Sequence, residues 1–238
     1  HARKPIFGYR AIAYSSLVIS FLGLIVWAHH MFTSGTPPWL RMVFMITTMA
    51  IAVPTGIKVF GWTATLWRGK IAYTSAMLFA IGFIAIFVIG GISGVMLAAV
   101  PFDIHVHDTY FVVAHFHYVL FGASIFGIYM ALYHWFPKMF QGRMMNKNLG
   151  YVHFWITAIC AYGVFFPMHF VGMAGVPRRY YQNTAFPMFD ELTNVQILMT
   201  VFAIIAGAAQ LVFVYNFIRS IFYGKRGEVN PWKSNTLE

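Results

Sequence analysis

Long apolar runs separated by short polar breaks set the pattern of the chain. Residues 11–32 hold no Lys, Arg, Asp or Glu, residues 42–67 hold only Lys58, and residues 71–102, 109–137, 148–177 and 192–218 hold none. A membrane-spanning helix needs about 20 apolar residues, so each run predicts one span. The expected helices cover about 11–32, 39–67, 71–100, 109–136, 150–172 and 193–222. The breaks carry turn and helix-stop residues: Ser34-Gly35-Thr36-Pro37-Pro38, Trp67-Arg68-Gly69-Lys70, Pro101-Phe102-Asp103, Pro137 to Lys147, and Val176-Pro177-Arg178-Arg179. Residues 1–238 therefore read as one all-α, polytopic transmembrane bundle of six helices. No soluble domain and no repeat is expected, and the polar stretch from Gly224 to Glu238 reads as interfacial.

Composition narrows the function classes. Hydrophobic residues make up 60 % and charged residues 9 %, against about 25 % charged in soluble domains. A cytosolic enzyme and a disordered tail are excluded. The net charge of +10 does not point to nucleic acid, because a basic nucleic-acid module is rich in charge overall. The single cysteine, Cys160, excludes a disulfide framework. The chain starts at His1 without a methionine and reads as a piece of something longer. Its basic opening does not look like a cleavable signal.

With six spans both termini fall on one side. That side takes all of the 16 Lys and Arg except Arg41, Lys58, Arg178 and Arg179, and the bias of basic residues marks it as cytoplasmic. Depth then becomes readable. His29 and His30 sit near the outer end of the first helix, and His115 and His117 lie one to two turns below the outer surface. His105, His107 and Asp108 fall in the outer loop before them, and Arg178 and Arg179 in the next outer loop. Lys58 lies roughly 28 Å along the second helix at 1.5 Å per residue, in the cytoplasmic half.

The chemistry of this outer layer follows from spacing. On a helix His115 and His117 point about 200° apart, so they cannot share a metal but can each hold a different cofactor. Neutral imidazole is a common axial ligand of haem iron, and polar groups inside a membrane are costly and usually functional. The bland alternative is two histidines bonded to neighbouring helices. His29 and His30 can converge on one small ion if the helix ends there, and copper, zinc or iron suits imidazole; a solvated interfacial pair is the other reading. His107 and Asp108, with Asp103, make an oxygen-and-nitrogen set suited to Mg or Mn, or else a solvated acidic loop. Arg178 and Arg179 can hold carboxylates such as haem propionates, or a lipid phosphate or a partner. Lys58 is either a snorkelling lysine or a proton-carrying group; Pro54-Thr55-Gly56 loosens its helix and supplies a hydroxyl. Gly90 and Gly94 form a GxxxG pair, a signal for close helix packing. His134, His153 and His169 have no partner readable from the sequence.

Three stretches carry a family resemblance: Val26-Trp27-Ala28-His29-His30-Met31-Phe32, Ile51-Ala52-Val53-Pro54-Thr55-Gly56-Ile57-Lys58-Val59-Phe60, and His107-Asp108-Thr109-Tyr110-Phe111-Val112-Val113-Ala114-His115-Phe116-His117-Tyr118. With Pro177-Arg178-Arg179-Tyr180 they resemble subunit I of the haem–copper oxidases, in the branch of bacterial cytochrome c oxidase, over helices seven to twelve of a twelve-helix subunit. The resemblance implies oxygen reduction to water with electrons from cytochrome c, coupled to proton pumping. It implies His29 and His30 as copper ligands, His115 as the axial ligand of a high-spin haem, and His117 as one axial ligand of a low-spin haem. It further implies His107 and Asp108 as Mg or Mn ligands, Arg178 and Arg179 as propionate anchors, and Lys58 with Thr55 as part of a proton-uptake path. The implied partners are the N-terminal half of subunit I, subunits II and III, cytochrome c and lipid of the bacterial plasma membrane. The family's third copper histidine, its cross-linked tyrosine and the second low-spin haem ligand lie upstream of this chain, so the piece alone is not expected to be active. Two rivals remain at this stage: a quinol oxidase of the same superfamily and a non-redox transporter with a His-rich ion site.

Overall fold

The computed structural model describes residues 1–182 and 186–231. Lys233 and the end of the polar tail lie outside the described residues. The fold is helical, with α1 Tyr9–Gly23, α2 Pro38–Ala50, α3 Ala52–Leu66, α4 Ser75–Ala98, α5 Val100–Val106, α6 Tyr110–Leu120, α7 Gly127–Met139, α8 Lys147–Met173 and α9 Thr193–Tyr223. Two short strands, β1 Arg143–Met144 and β2 Lys225–Arg226, pair antiparallel.

Among the described residues, five stretches are long and apolar enough to cross a membrane: Pro38–Leu66, Ser75–Ala98, Tyr110–Met139, Lys147–Met173 and Pro187–Tyr223. The first apolar run departs from the six-span expectation. Its α-helix stops at Gly23, and residues Trp27–Met31 form a 3-10 helix instead. Fifteen α-helical residues reach about 22 Å, and the apolar run continues through the 3-10 helix to Met31, so that the run as a whole approaches the roughly 30 Å of a hydrocarbon core. Apolarity sets the length of a run but not its hydrogen-bond pattern, and Gly23 is the weakest helix former in the run.

Local chemistry explains the other boundaries. Pro54 has no N–H to give the Ala50 carbonyl, and the second span is divided there into α2 and α3 at Ile51. Thr74 caps α4, accepting from the Met77 N–H at 3.3 Å. Asn146 caps α8, accepting from Asn148 and Leu149 N–H groups at 2.9 and 3.1 Å. The expected outer loop after α4 is in part helical, because Pro101 opens the short helix α5 with its fixed φ. Residues Phe121–Phe126 form one π-helical turn between α6 and α7.

Helix α8 packs on α9 and α6, α6 on α4, and α1 on α3. The main core gathers Phe79, Ile86, Tyr118, Phe126 and Phe154 where α4, the α6–α7 span and α8 meet. Gly90 and Gly94 face α6 as the GxxxG pair anticipates: a Cβ at Gly90 would stand 2.9 Å from Val119, and one at Gly94 2.7 Å from the His115 ring. Large apolar side chains cover the outside, among them Phe21, Phe60, Ile204 and Leu211, as a lipid-facing surface requires.

Candidate metal and cofactor layer

Five elements converge at one end of the bundle. The 3-10 helix carries His29 and His30, α5 carries Asp103, the turn after it His107 and Asp108, α6 His115 and His117, and the loop after α8 Arg178. His29, His30, Asp103, Asp108, His115 and Arg178 line one cavity of about 90 Å3. The sequence expectation of a single polar layer therefore holds for these residues.

A 3-10 turn places adjacent side chains about 120° apart. At positions 29 and 30 the rings fold towards each other, with centroids 4.2 Å apart and Nε2 3.0 Å from Nε2. His29 Nδ1 meets the Thr48 hydroxyl of α2 at 3.2 Å. Trp27 braces the turn edge-on against Phe44.

His115 and His117 each engage a backbone carbonyl through Nδ1: Gly90 O at 2.9 Å for His115 and Val113 O at 2.8 Å for His117. A nitrogen that gives its hydrogen to a carbonyl leaves the other nitrogen's lone pair for a metal. Ser93 Oγ lies 3.2 Å from His115 Nδ1. His117 stacks on Phe165 of α8 at 4.8 Å, while His115 faces α4, so the two imidazoles occupy different sides of α6. An apolar groove of about 460 Å3 runs from His29 and His115 past Gly91 and Gly94 to Thr55 and Phe60. Its apolar walls suit an apolar macrocycle beside His29 and His115.

Asp103 and His107 are four residues apart, and the carboxylate accepts from Nδ1 at 2.6 Å. Burial pushes the Asp103 carboxyl above its ordinary range, outweighing the hydrogen bond from His107. Asp108 sits in left-handed backbone, φ 56°, which an Asx residue tolerates better than most. Partial burial raises its carboxyl, but the Arg178 hydrogen bond and charge bring it below the ordinary value. Arg178 Nε donates to Asp108 Oδ1 at 2.7 Å, its NH2 group forms an ion pair with the same oxygen, and its backbone N–H donates to Asp108 O at 2.9 Å. A single β-bridge between Thr109 and Pro177 extends this join.

The structure separates some expected groups. Arg178 turns to Asp108, whereas Arg179 is exposed with φ 68°, so the two side chains meet different surroundings. His105 is exposed on α5. Thr55 lines the apolar groove; Lys58, one turn on, is half-buried with Nζ 5.7 Å from the Trp62 ring centroid. Among the described residues no three His, Cys, Asp or Glu side chains are placed to hold one metal ion, so a third protein ligand for a His29–His30 ion is not among them.

Ser93 and Thr48 were not singled out from the sequence, because a hydroxyl in an apolar run gives no periodic signal. Ser93 could have been found as the residue three after Gly90, on the turn that faces α6. His153 also finds partners: Tyr133 OH and Gln210 Oε1, each at 3.2 Å. Tyr129 OH donates to the same Gln210 oxygen at 2.5 Å.

Comparison with known proteins places the chain. Residues 1–208 match the family model described as cytochrome c and quinol oxidase polypeptide I. Cytochrome c oxidase subunit 1 of Synechocystis sp. is 60 % identical over 239 residues, covering 100 % of this chain and 42 % of the relative. The Bacillus subtilis subunit 1 is 44 % identical over 238 residues, 100 % of this chain and 38 % of the relative. The chain thus spans well under half the length of these relatives. A heme-copper terminal oxidase dimer solved by cryo-EM shares the fold, with a TM-score of 0.77 at 20 % identity over 98 % of this chain and 44 % of that one.

Proposed function

Because the chain belongs to the cytochrome c and quinol oxidase polypeptide I family, we propose that it is the C-terminal half, helices seven to twelve, of the catalytic subunit of a cytochrome c oxidase. The whole subunit reduces oxygen to water and moves protons, working with the N-terminal half, subunits II and III and cytochrome c in a bacterial plasma membrane, both ends of this chain facing the cytoplasm. The curated relatives named above are cytochrome c oxidases, which favours cytochrome c over quinol as donor. The observation that carries the reading is the convergence of His29, His30 and His115 on one small cavity while His117 faces another helix.

In this reading His29 and His30 supply two copper ligands through Nε2, and His115 and His117 supply Nε2 to a high-spin and a low-spin haem iron. The Nε2 atoms of His115 and His117, left over by their Nδ1–carbonyl contacts, fit that donor set, and the His29 and His30 Nε2 atoms, facing each other at 3.0 Å, converge as two donors to one ion would. The haems and copper, when bound, supply electron transfer and oxygen activation. The protein's own part is to fix the His115 and His117 tautomers by the Gly90 and Val113 carbonyls, to orient His29 through Thr48, and to present His107, braced by Asp103, with Asp108 at the outer edge for Mg or Mn whose shell a residue of subunit II would complete. Arg178 neutralises Asp108 and lines the cavity, and it and the neighbouring Arg179 would be the anchors of the haem propionates. Lys58, one turn from the groove wall, and Thr55, which lines it, carry protons from the cytoplasmic half towards the cavity.

The opposite faces of His115 and His117 test the assignment. In the purified oxidase, His117→Ala should abolish the low-spin haem spectrum and His115→Ala the CO-reactive haem spectrum. Retention of both spectra in either variant would refute the two-haem reading.

A further inference from the structure

We propose that Ser93 is a positioning residue for His115: its hydroxyl fixes the rotation of the imidazole and strengthens the donor power of Nε2 towards a haem iron. The inference rests on the axial role assigned to His115 above and goes beyond it.

Ser93 is buried, at 4 % relative exposure. Its hydroxyl donates to the Gly90 carbonyl at 3.0 Å, a bond to its own preceding turn that sets the rotor. With the hydroxyl hydrogen committed there, the oxygen's lone pairs are free towards His115 Nδ1, 3.2 Å away. The same Nδ1 lies 2.9 Å from Gly90 O. One N–H is therefore shared between two acceptors on one turn of α4, a three-centre arrangement.

A single acceptor leaves an imidazole able to pivot about the hydrogen bond. A second acceptor displaced from that line removes the pivot. Gly94 closes the remaining side, since even a Cβ there would come within 2.7 Å of the ring. Ring, carbonyl, hydroxyl and glycine thus define one setting of the plane. Hydrogen bonds to the far nitrogen of a ligating histidine also raise its basicity, so the hydroxyl bears on the iron bond through the ring rather than by contact.

The test is resonance Raman spectroscopy of the intact, reduced oxidase, reading the iron–imidazole stretch of the five-coordinate high-spin haem. Ser93→Ala should move this band to lower frequency and broaden it, with haem content and the low-spin haem bands unchanged. Ser93→Thr, which keeps the hydroxyl, should restore the wild-type band. Ser93→Cys, close in volume but a weak acceptor, should behave as Ser93→Ala and serves where the alanine variant fails to accumulate. A band of unchanged position and width in the alanine or cysteine variant would overturn the proposal, as would a threonine variant shifted as far as alanine. His115→Ala separates the two levels. If it retains the wild-type stretch, the axial assignment itself fails; an unmoved band in the Ser93 variants alone leaves that assignment standing.

Discussion

A neutral imidazole has one N–H and one lone pair, so the nitrogen spent on the protein decides which is left for a ligand. His29 meets Thr48 through Nδ1, and its Nε2 lies 3.0 Å from His30 Nε2. Two such nitrogens share one hydrogen or turn both lone pairs on a cation. In the complete oxidase, His29→Ala or His30→Ala should therefore remove about one copper per complex, because loss of one of few ligands opens the coordination shell, and leave the low-spin haem spectrum intact. Metal analysis of purified variants checks this; unchanged copper would exclude the pair as ligands. These histidines were legible as HH and HxH in an apolar run. Their hydrogen-bond partners were not. Thr48 becomes relevant only when α2 is laid beside His29, an adjacency of which the sequence carries no sign, whereas Ser93 is reachable through the Gly90–Gly94 signal of close packing.

Helix spacing explains why some elements were read well and others poorly. The runs of α4, α8 and α9 are uniformly apolar, and their extents follow the expected limits within a few residues. The first run predicts one helix, yet its end is 3-10, and the break after α4 predicts a loop, yet Pro101 opens the short helix α5 there. Both departures lie beside the cavity of His29, Asp103 and His115, where backbone form answers to side-chain geometry rather than to lipid. The close approach of α4 and α6 was legible in Gly90 and Gly94. Its consequence is testable: Gly94→Ala forces its methyl against His115 Cε1, and overpacking of this kind costs about 1–3 kcal/mol. The variant should lower thermal stability and perturb the high-spin haem spectrum while sparing the low-spin one. An unperturbed high-spin spectrum at full stability would mean that α4 and α6 have room to spare.

At the scale of the molecule, Lys58 lies well along the second span from the layer of His29 and Asp103. Thr55, a turn nearer that layer, lines the groove that reaches His115. In the proposed function oxygen reduction consumes protons, and a path from the Lys58 end of the span must use groups that can carry them. Lys58→Met, similar in length but unable to titrate, should leave haem and copper content intact, slow reduction of the high-spin haem and collapse steady-state oxygen consumption. A snorkelling lysine predicts near-normal turnover. Stopped-flow reduction and an oxygen electrode distinguish the two, and normal rates in both would remove Lys58 from the mechanism.

The single π-turn at Phe121–Phe126 adds a surplus residue to an otherwise α-helical span. Upstream are His115 and His117; downstream are Tyr129 and Tyr133, which meet Gln210 and His153. Without that turn the two halves would share one angular phase, and each residue removed would swing the lower half by about 100°. The turn acts as a phase shifter. It lets one continuous rod present its ligands to one set of neighbours and its tyrosines to another, with neither set having to compromise its bearing for the other.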